Sequence, residues 1–297
     1  MKLHRYILAG LMLFAAALQS CEKEVADFDI STKPMLVATA FISPQDTALA
    51  VEVKRTQPAI GKQLQEEELR VKDATVTISD GTNTVQLTYN TAWNKYFGSI
   101  KALPVVANKS YFLKVTTPAG EKAEATCTVP SREGIQVTEL NYNTRAAESY
   151  GYKFLEHKID FKWQDKPGIE NYYHLTSYRT YSVSYGYPPI VEKQHESAYT
   201  DSEKIFVSDA KHDGKVIQSP EFKITSMDPD VVPKPFVVTA IISVTDKPYY
   251  LYHKSVMEQE SVGGNPFAEP KRIYTNIQGG LGVFAAYNQI KVQKQIQ

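Results

Sequence analysis

Near its C-terminal end the chain reads TNIQGGLGVFAAYN, Thr275 to Asn288. Three glycines within four residues, Gly279, Gly280 and Gly282, suit two very different backbones. A phosphate-binding loop needs a strand before it and a helix N-terminus after it, so that free N–H groups and the helix dipole meet the anion. A β-corner needs glycine for positive φ, or for the close approach of a neighbouring strand. Here Leu281-Gly282-Val283-Phe284 runs on as a strand, and no Lys-Ser or Lys-Thr follows. The segment therefore predicts a short strand over Lys271–Ile277, a bend at the glycines and a strand over Leu281–Tyr287. A β protein follows, and the search for a nucleotide site ends.

Working outward, the same period of two recurs along the chain. Met35–Ile42 is an apolar run, and Leu49, Val51 and Val53 alternate with polar neighbours. So do Ala74, Val76 and Ile78 before an Asp80-Gly81 turn, then Val85, Leu87 and Tyr89, and later Tyr111, Leu113 and Val115. In KAEATCTVP the residues Ala123, Ala125, Cys127 and Val129 share one face, which places Cys127 inward as a small hydrophobe. The charged run Gln63–Asp73 lacks an apolar face and reads as a solvated loop or a single helical turn. Pro130–Gly134 is polar and rich in breakers, as a domain boundary is. Beyond it His157, Ile159, Phe161 and Trp163 alternate, Tyr172–Tyr185 reads as a strand, and Phe236–Val244 reads as a central one. Tyr249, Tyr252, Val256 and Met257 fall at helical spacing behind Pro248, predicting one short helix near 249–260. The expected architecture is mainly β. Two immunoglobulin- or fibronectin-like β-sandwich domains stand in tandem, over 35–130 and 131–297, with the helix in the second.

The N-terminus is of another kind. Lys2 and Arg5 precede about a dozen apolar residues, Ile7 to Leu18, too short to span a bilayer but suited to a secretory signal over 1–20. Leu18-Gln19-Ser20-Cys21 resembles the lipobox of bacterial lipoproteins. In that reading Cys21 carries a diacylglycerol and a further chain of the palmitate kind, and several chains together anchor stably in a lipid bilayer. Residues 21–34 form an acidic tether. With Cys21 acylated, Cys127 is the other of two cysteines and has no disulfide partner.

Charge and motifs narrow the chemistry. Lys plus Arg and Asp plus Glu are equal at 33 each, so no net field draws nucleic acid. His195-Glu196-Ser197-Ala198-Tyr199 has a tyrosine where a zinc-protease helix needs its second histidine. Asp209 to Gly214 ends like a calcium loop, but Lys211 fills a ligand position and Pro220 stands where the bidentate glutamate belongs, so it reads as a polar turn. Asp228-Pro229-Asp230 is a turn as well. His157, inward on its strand, reads as a hydrogen-bonded core residue. No nucleophile can be paired with a base, so the expectation is a non-enzymatic protein without metal or cofactor. What stands out is YHLTSYRTYSVSYGYPP. Tyr178, Tyr181, Tyr185 and Tyr187 offer rigid apolar area with polar tips, suited to a sugar, a peptide or a protein surface.

Three segments, DATVTISDG (Asp73–Gly81), DKPGIENYYHL (Asp165–Leu175) and FAEPKRIYTNIQGGLGVFAAYN (Phe267–Asn288), together with the Cys21 lipobox, carry a resemblance. With them the chain resembles a family of Bacteroidota outer-membrane lipoproteins known only as a domain of unknown function, number 4249. The resemblance extends over essentially all of the chain after the signal. It implies two β-sandwich-like domains and an association with TonB-dependent outer-membrane receptors, and it brings no catalytic residues. The functional expectation is an outer-membrane or surface-exposed lipoprotein serving a TonB-dependent transporter in substrate capture or uptake. The alternative is a stand-alone surface lipoprotein that binds a glycan or peptide.

Overall fold

The computed structural model describes residues 34–58, 62–200, 203–226, 234–262, 269 and 271–297. The signal, Cys21, the tether through Lys33 and the Asp228–Asp230 turn lie outside them. The alternating segments of the first half become β1 (Leu36–Ile42), β2 (Ala48–Arg55), β3 (Thr75–Ser79), β4 (Thr84–Asn90), β5 (Lys95–Ser99), β6 (Ser110–Thr116) and β7 (Lys122–Thr128). Their inward residues make a first core that includes Leu49, Val51, Ile78 and Leu113. Cys127 is 3% exposed within it, and burial pushes its thiol well above the ordinary range. The charged run contributes one helical turn, α1 (Glu66–Leu69). Arg70 holds it to the sheet through Glu67 at 3.0 Å and Glu52 at 3.5 Å.

The second half opens with β8 (Gln136–Ser149), β9 (Tyr152–Gln164), β10 (Tyr172–Tyr185) and β11 (Ile190–Ser197). Short strands β12 (Phe206–Ser208), β13 (Val216–Gln218) and β14 (Phe222–Ser226) follow, then β15 (Phe236–Thr245), helix α2 (Lys247–Val262) and β16 (Leu281–Ile296). The strands form two open sheets. One has twelve strands in the order β11-β10-β15-β16-β1-β2-β5-β4-β3-β6-β7, with β12 also on β10. The other has four, β13-β9-β14 with β8 also on β9. Ile159, Phe161 and Trp163 of β9 meet Tyr173, Leu175, Val238 and Ile242 of the large sheet in a second core. This sandwich explains why β9 and β10 alternate so clearly: each has one face buried.

Helix α2 begins where Asp246 caps it, its Oδ1 accepting the Tyr249 N–H at 2.9 Å. Tyr249 packs on Val283 and Ala285 of β16. The opposite face of β16 gives Phe284 and Ala286 to the first core. Covered on both sides, Val283–Ala286 must be apolar throughout, which is why GVFAA does not alternate.

The glycine bend is a packing device. Gly279 and Gly282 have φ of +79° and +103°. A Cβ on Gly279 would lie 2.3 Å from the Lys122 carbonyl oxygen, one on Gly280 2.5 Å from that of Leu36, and one on Gly282 2.1 Å from that of Ala38. The segment thus threads between β7 and β1 at distances that only glycine permits.

Two expectations for this region need correction. Lys271–Ile277 is not a strand. Asn276 docks it instead, its Nδ2 donating to the Phe284 carbonyl at 2.8 Å and its Oδ1 accepting the Phe284 N–H at 3.0 Å. That side chain takes the hydrogen bonds a neighbouring strand would have taken. The last strand also runs to Ile296 and not merely to Tyr287. It pairs in parallel with β1 from Val37↔Leu281 to Ile42↔Ala286, then antiparallel with β15 from Thr245↔Tyr287 to Phe236↔Ile296. The residues read as 35–130 and 131–297 therefore meet in one sheet through β16, which supplies side chains to both cores.

Candidate functional site

Two long hairpins extend the second core. In the first, β8 pairs with β9 from Gln136↔Gln164 to Ser149↔Tyr152. In the second, β10 pairs with β11 from Tyr178↔Ser197 to Tyr185↔Ile190. Trp163 and Tyr173 rings lie 5.3 Å apart, and six residues earlier on β9 and six later on β10, His157 and Arg179 both face Phe236, at 6.5 Å and 6.0 Å. Strands β9 and β10 thus run face to face in opposite directions. Both hairpin tips lie at one end, opposite the Asp165–Asn171 turn.

The tips share a tetrapeptide. Ser149-Tyr150-Gly151-Tyr152 closes the first hairpin and Ser184-Tyr185-Gly186-Tyr187 the second. In the first, Tyr150 and Gly151 have φ of +50° and +79°, the positive pair of a type I′ turn, whose twist matches its strands. The tyrosine occupies a conformation rare for a non-glycine residue. Tyr150 is 98% exposed and Tyr187 101%. Tyr152, Tyr185, Ile190 and Val191 are exposed beside them. Exposed aromatic and aliphatic side chains of this kind, on two projections at one end, have the composition of a partner-binding surface.

The four tyrosines singled out from the sequence divide. Tyr185 and Tyr187 belong to the tip. Tyr178 and Tyr181 do not stand free: Tyr181 packs on the second core under the Arg179 guanidinium, 5.6 Å from its ring centre. Tyr178 lies on the other face, between His195 at 5.7 Å and the Lys291 ammonium at 5.6 Å. They brace the hairpin that carries the tip. Buried Arg179 adds to this through Glu196, at 2.7 Å from both Nε and Nη2. Across the core, the Tyr142 hydroxyl and His157 Nδ1 lie 2.6 Å apart. Burial, with Arg179 near, lowers the His157 pKa to about 4, so this histidine is a neutral core residue. Tyr150 and Tyr152 escaped the sequence reading because their surroundings show no alternation; the repeated Ser-Tyr-Gly-Tyr was the available signal.

At the opposite end, three carboxylates lie within 4.8 Å of one another: Asp165, Asp209 and Asp213. The turn Asp209–Gly214 gains from Asp165 a carboxylate that local sequence could not supply. Such a donor set suits a hard cation, yet each carboxylate already accepts hydrogen bonds. Asp165 takes the Tyr173 hydroxyl and the Gly214 N–H, Asp209 both nitrogens of Asn171, and Asp213 the Gly168 N–H at 2.8 Å. Burial raises the Asp209 pKa, with Asp165 and Asp213 adding to it. As arranged, the three aspartates lock two turns together.

Fold and surface together define a class: a mainly β, sandwich-like protein that presents paired aromatic hairpins. The chain belongs to the family described as domain of unknown function DUF4249, whose model matches residues 22–293. No curated protein matches it. Among the described residues no helix is long and apolar enough to cross a membrane.

Proposed function

We propose that this protein is a lipid-anchored outer-membrane lipoprotein, without enzymatic activity, that serves a TonB-dependent transporter in substrate capture or uptake. The docking element is the pair of Ser-Tyr-Gly-Tyr tips. The observation that carries the reading is their repetition at one end of the molecule, with Tyr150 and Tyr187 wholly exposed. Tyrosines on rigid hairpins bury large area on binding at little entropic cost. The Leu18–Cys21 motif and the sequence resemblance support the anchor and the choice of partner.

The test is affinity purification of the tagged protein from membranes solubilised in mild detergent. A TonB-dependent β-barrel should be recovered with the native chain and lost with Tyr150→Ala/Tyr187→Ala. Recovery of no such barrel sinks the transporter reading. If Cys21→Ala leaves the protein on membranes, the anchor assignment is wrong. A stand-alone glycan- or peptide-binding role has Tyr185 in its favour, since that ring is exposed beside the tip. Ligand retention on an array that survives Tyr181→Ala/Tyr185→Ala removes that second reading.

A further inference from the structure

Strand β8 runs for 14 residues and pairs with β9 alone among the described residues, which leaves its other edge free. Such an edge presents a row of N–H and C=O groups to any strand that can match it. Two other edges are closed by the chain itself. Gln278 exchanges both backbone hydrogen bonds with Glu124 of β7, at 3.0 and 2.8 Å, and Tyr199 does so with Lys223 of β14, at 2.9 and 2.7 Å. On β8, Asn143 to Ala146 are exposed instead. Neither proline nor lysine, common guards of an edge, occurs between Gln136 and Ser149. The bulge at Val137/Glu139 leaves the rest of the strand regular.

The turn decides which groups face outward. Tyr150-Gly151 is a two-residue turn, so Ser149 and Tyr152 form a hydrogen-bonded pair. Counting back in twos, Ala147, Arg145, Asn143, Asn141 and Glu139 bond to β9. Leu140, Tyr142, Thr144 and Ala146 turn their backbone groups away from it. The Leu140 carbonyl fits this parity: it accepts the Lys294 ammonium of β16 at 3.4 Å, a long contact that a strand N–H can displace.

The side chains select the occupant. The charged residues of β8 are Glu139, Arg145 and Glu148. Arg145 stands opposite Glu156 on β9 but makes no salt bridge among the described residues. If β8 lies antiparallel to a second copy of itself, outward-facing residues must oppose outward-facing ones. Under that constraint Glu148 cannot stand opposite Arg145, whereas Glu139 can. It does so when Tyr142 meets its own copy on a two-fold axis. Asn141 then faces Asn143, Leu140 bonds to Thr144, and no like charges are opposed. Glu139 already holds Lys162 at 2.7 Å, and a carboxylate has acceptor capacity for a second cation.

We infer that two copies of this chain associate through β8, their strands antiparallel about a two-fold axis at Tyr142. About six backbone hydrogen bonds form between residues 140 and 144, and the paired Glu139–Arg145 contacts fix the register. The smaller sheet becomes continuous across the pair. This interface goes beyond the docking role of the hairpin tips and does not depend on it.

The test is sedimentation of the full chain in detergent micelles at rising concentration, which should show a monomer–dimer equilibrium in the micromolar range. Thr144→Pro removes an outward N–H and no bond to β9, so it should abolish the dimer while the melting temperature holds. Arg145→Glu sets like charges opposite and should weaken the dimer about tenfold, and Glu139→Arg/Arg145→Glu should restore it. Asn141→Cys/Asn143→Cys, a close non-bonded pair across the axis, should yield a disulfide-linked dimer on oxidation. A chain that stays monomeric, a dimer indifferent to Thr144→Pro, or a charge swap that restores nothing each overturns the interface. So does capture of a different protein by the cysteine pair in intact membranes, which would give the edge to another partner. Such a failure leaves the copurification result untouched, so the two proposals fail separately.

Discussion

Gly280 and Gly282 do different work though they stand two residues apart. Gly280 has ordinary φ, and its demand is steric: a Cβ would sit 2.5 Å from the Leu36 carbonyl oxygen. Gly282 adds a φ of +103°, where a side chain is strained whatever the space. Gly280→Val should cost at least the ~1–3 kcal/mol of ordinary overpacking, and Gly282→Ala more. Thermal unfolding followed by circular dichroism checks this, since a chain of this size loses roughly 2–4 °C per kcal/mol. Unchanged melting of Gly280→Val would mean that the bend has room, and a ligand-facing loop would return as its explanation. Asp165 is wholly buried and serves Tyr173 and Gly214. Asp165→Ala leaves both donors unsatisfied and should cost about 2–4 kcal/mol, measured by denaturant titration. A loss below the scatter of surface substitutions would deny the brace.

Among elements, α2 joins two opposing titrations. Burial lowers His174 beneath it and His253 within it to about 4, below the ordinary 6.5. The unfolded chain therefore takes up their protons first, and stability falls as pH drops from about 6.5 toward 4. The helix cap Asp246 is raised to about 7 by burial, so its contribution is fully present below its unfolded value near 3.8 and is lost as pH rises through 7. Asp246→Asn keeps a good capping residue and removes that loss. The variant should be more stable than the native chain at pH 8 and should gain stability more steeply between pH 4 and 6.5. Melting curves across that range decide it, and parallel profiles for the two proteins would refute it.

The elements also show what sequence can and cannot disclose. Strand β10 was legible to its ends because one face lies in a core. Strand β8 was not, since a bulge between Val137 and Glu139 moves its inward face from Val137 to Leu140 and Tyr142 and breaks the period of two. The extension of β16 past Tyr287 was hidden because NQIKVQKQI is largely polar; there it relies on pairing with β15 more than on burial. At the candidate site, Tyr185 and Tyr187 were found through a tyrosine-rich strand, whereas Tyr150 and Tyr152 sit on the illegible hairpin. The aspartate cluster joins residues far apart in sequence, which only the β9–β10 turn brings together.

For the whole molecule, the shared strand makes the halves interdependent. The first core takes Ile277, Phe284 and Ala286 from the end of the chain, and β1 has β16 as one of its two partners. A fragment of residues 34–130 therefore lacks part of its core and exposes the edge of β1, an invitation to aggregate. Expressed alone, it should give a poorly dispersed NMR spectrum that sharpens on adding a peptide of residues 271–297. A well-dispersed spectrum without the peptide would show the first core to be self-sufficient.

The parallel pairing of β1 with β16 has a mechanical consequence. Leu36 begins β1 beside the glycine bend, while the far half of β16 pairs with β15 and touches the second core through Ile290 and Ile296. Tension between a tethered N-terminus and a partner gripping the tips would pull β1 and β16 lengthwise past each other. Their backbone hydrogen bonds would then be loaded together in shear, not opened one at a time. Single-molecule pulling from residue 34 and Tyr187 should meet a high, abrupt rupture force, and pulling across the β10–β11 hairpin a low and gradual one. Anchored and docked as proposed, the chain would bear a load along the one strand that supplies side chains to both of its cores.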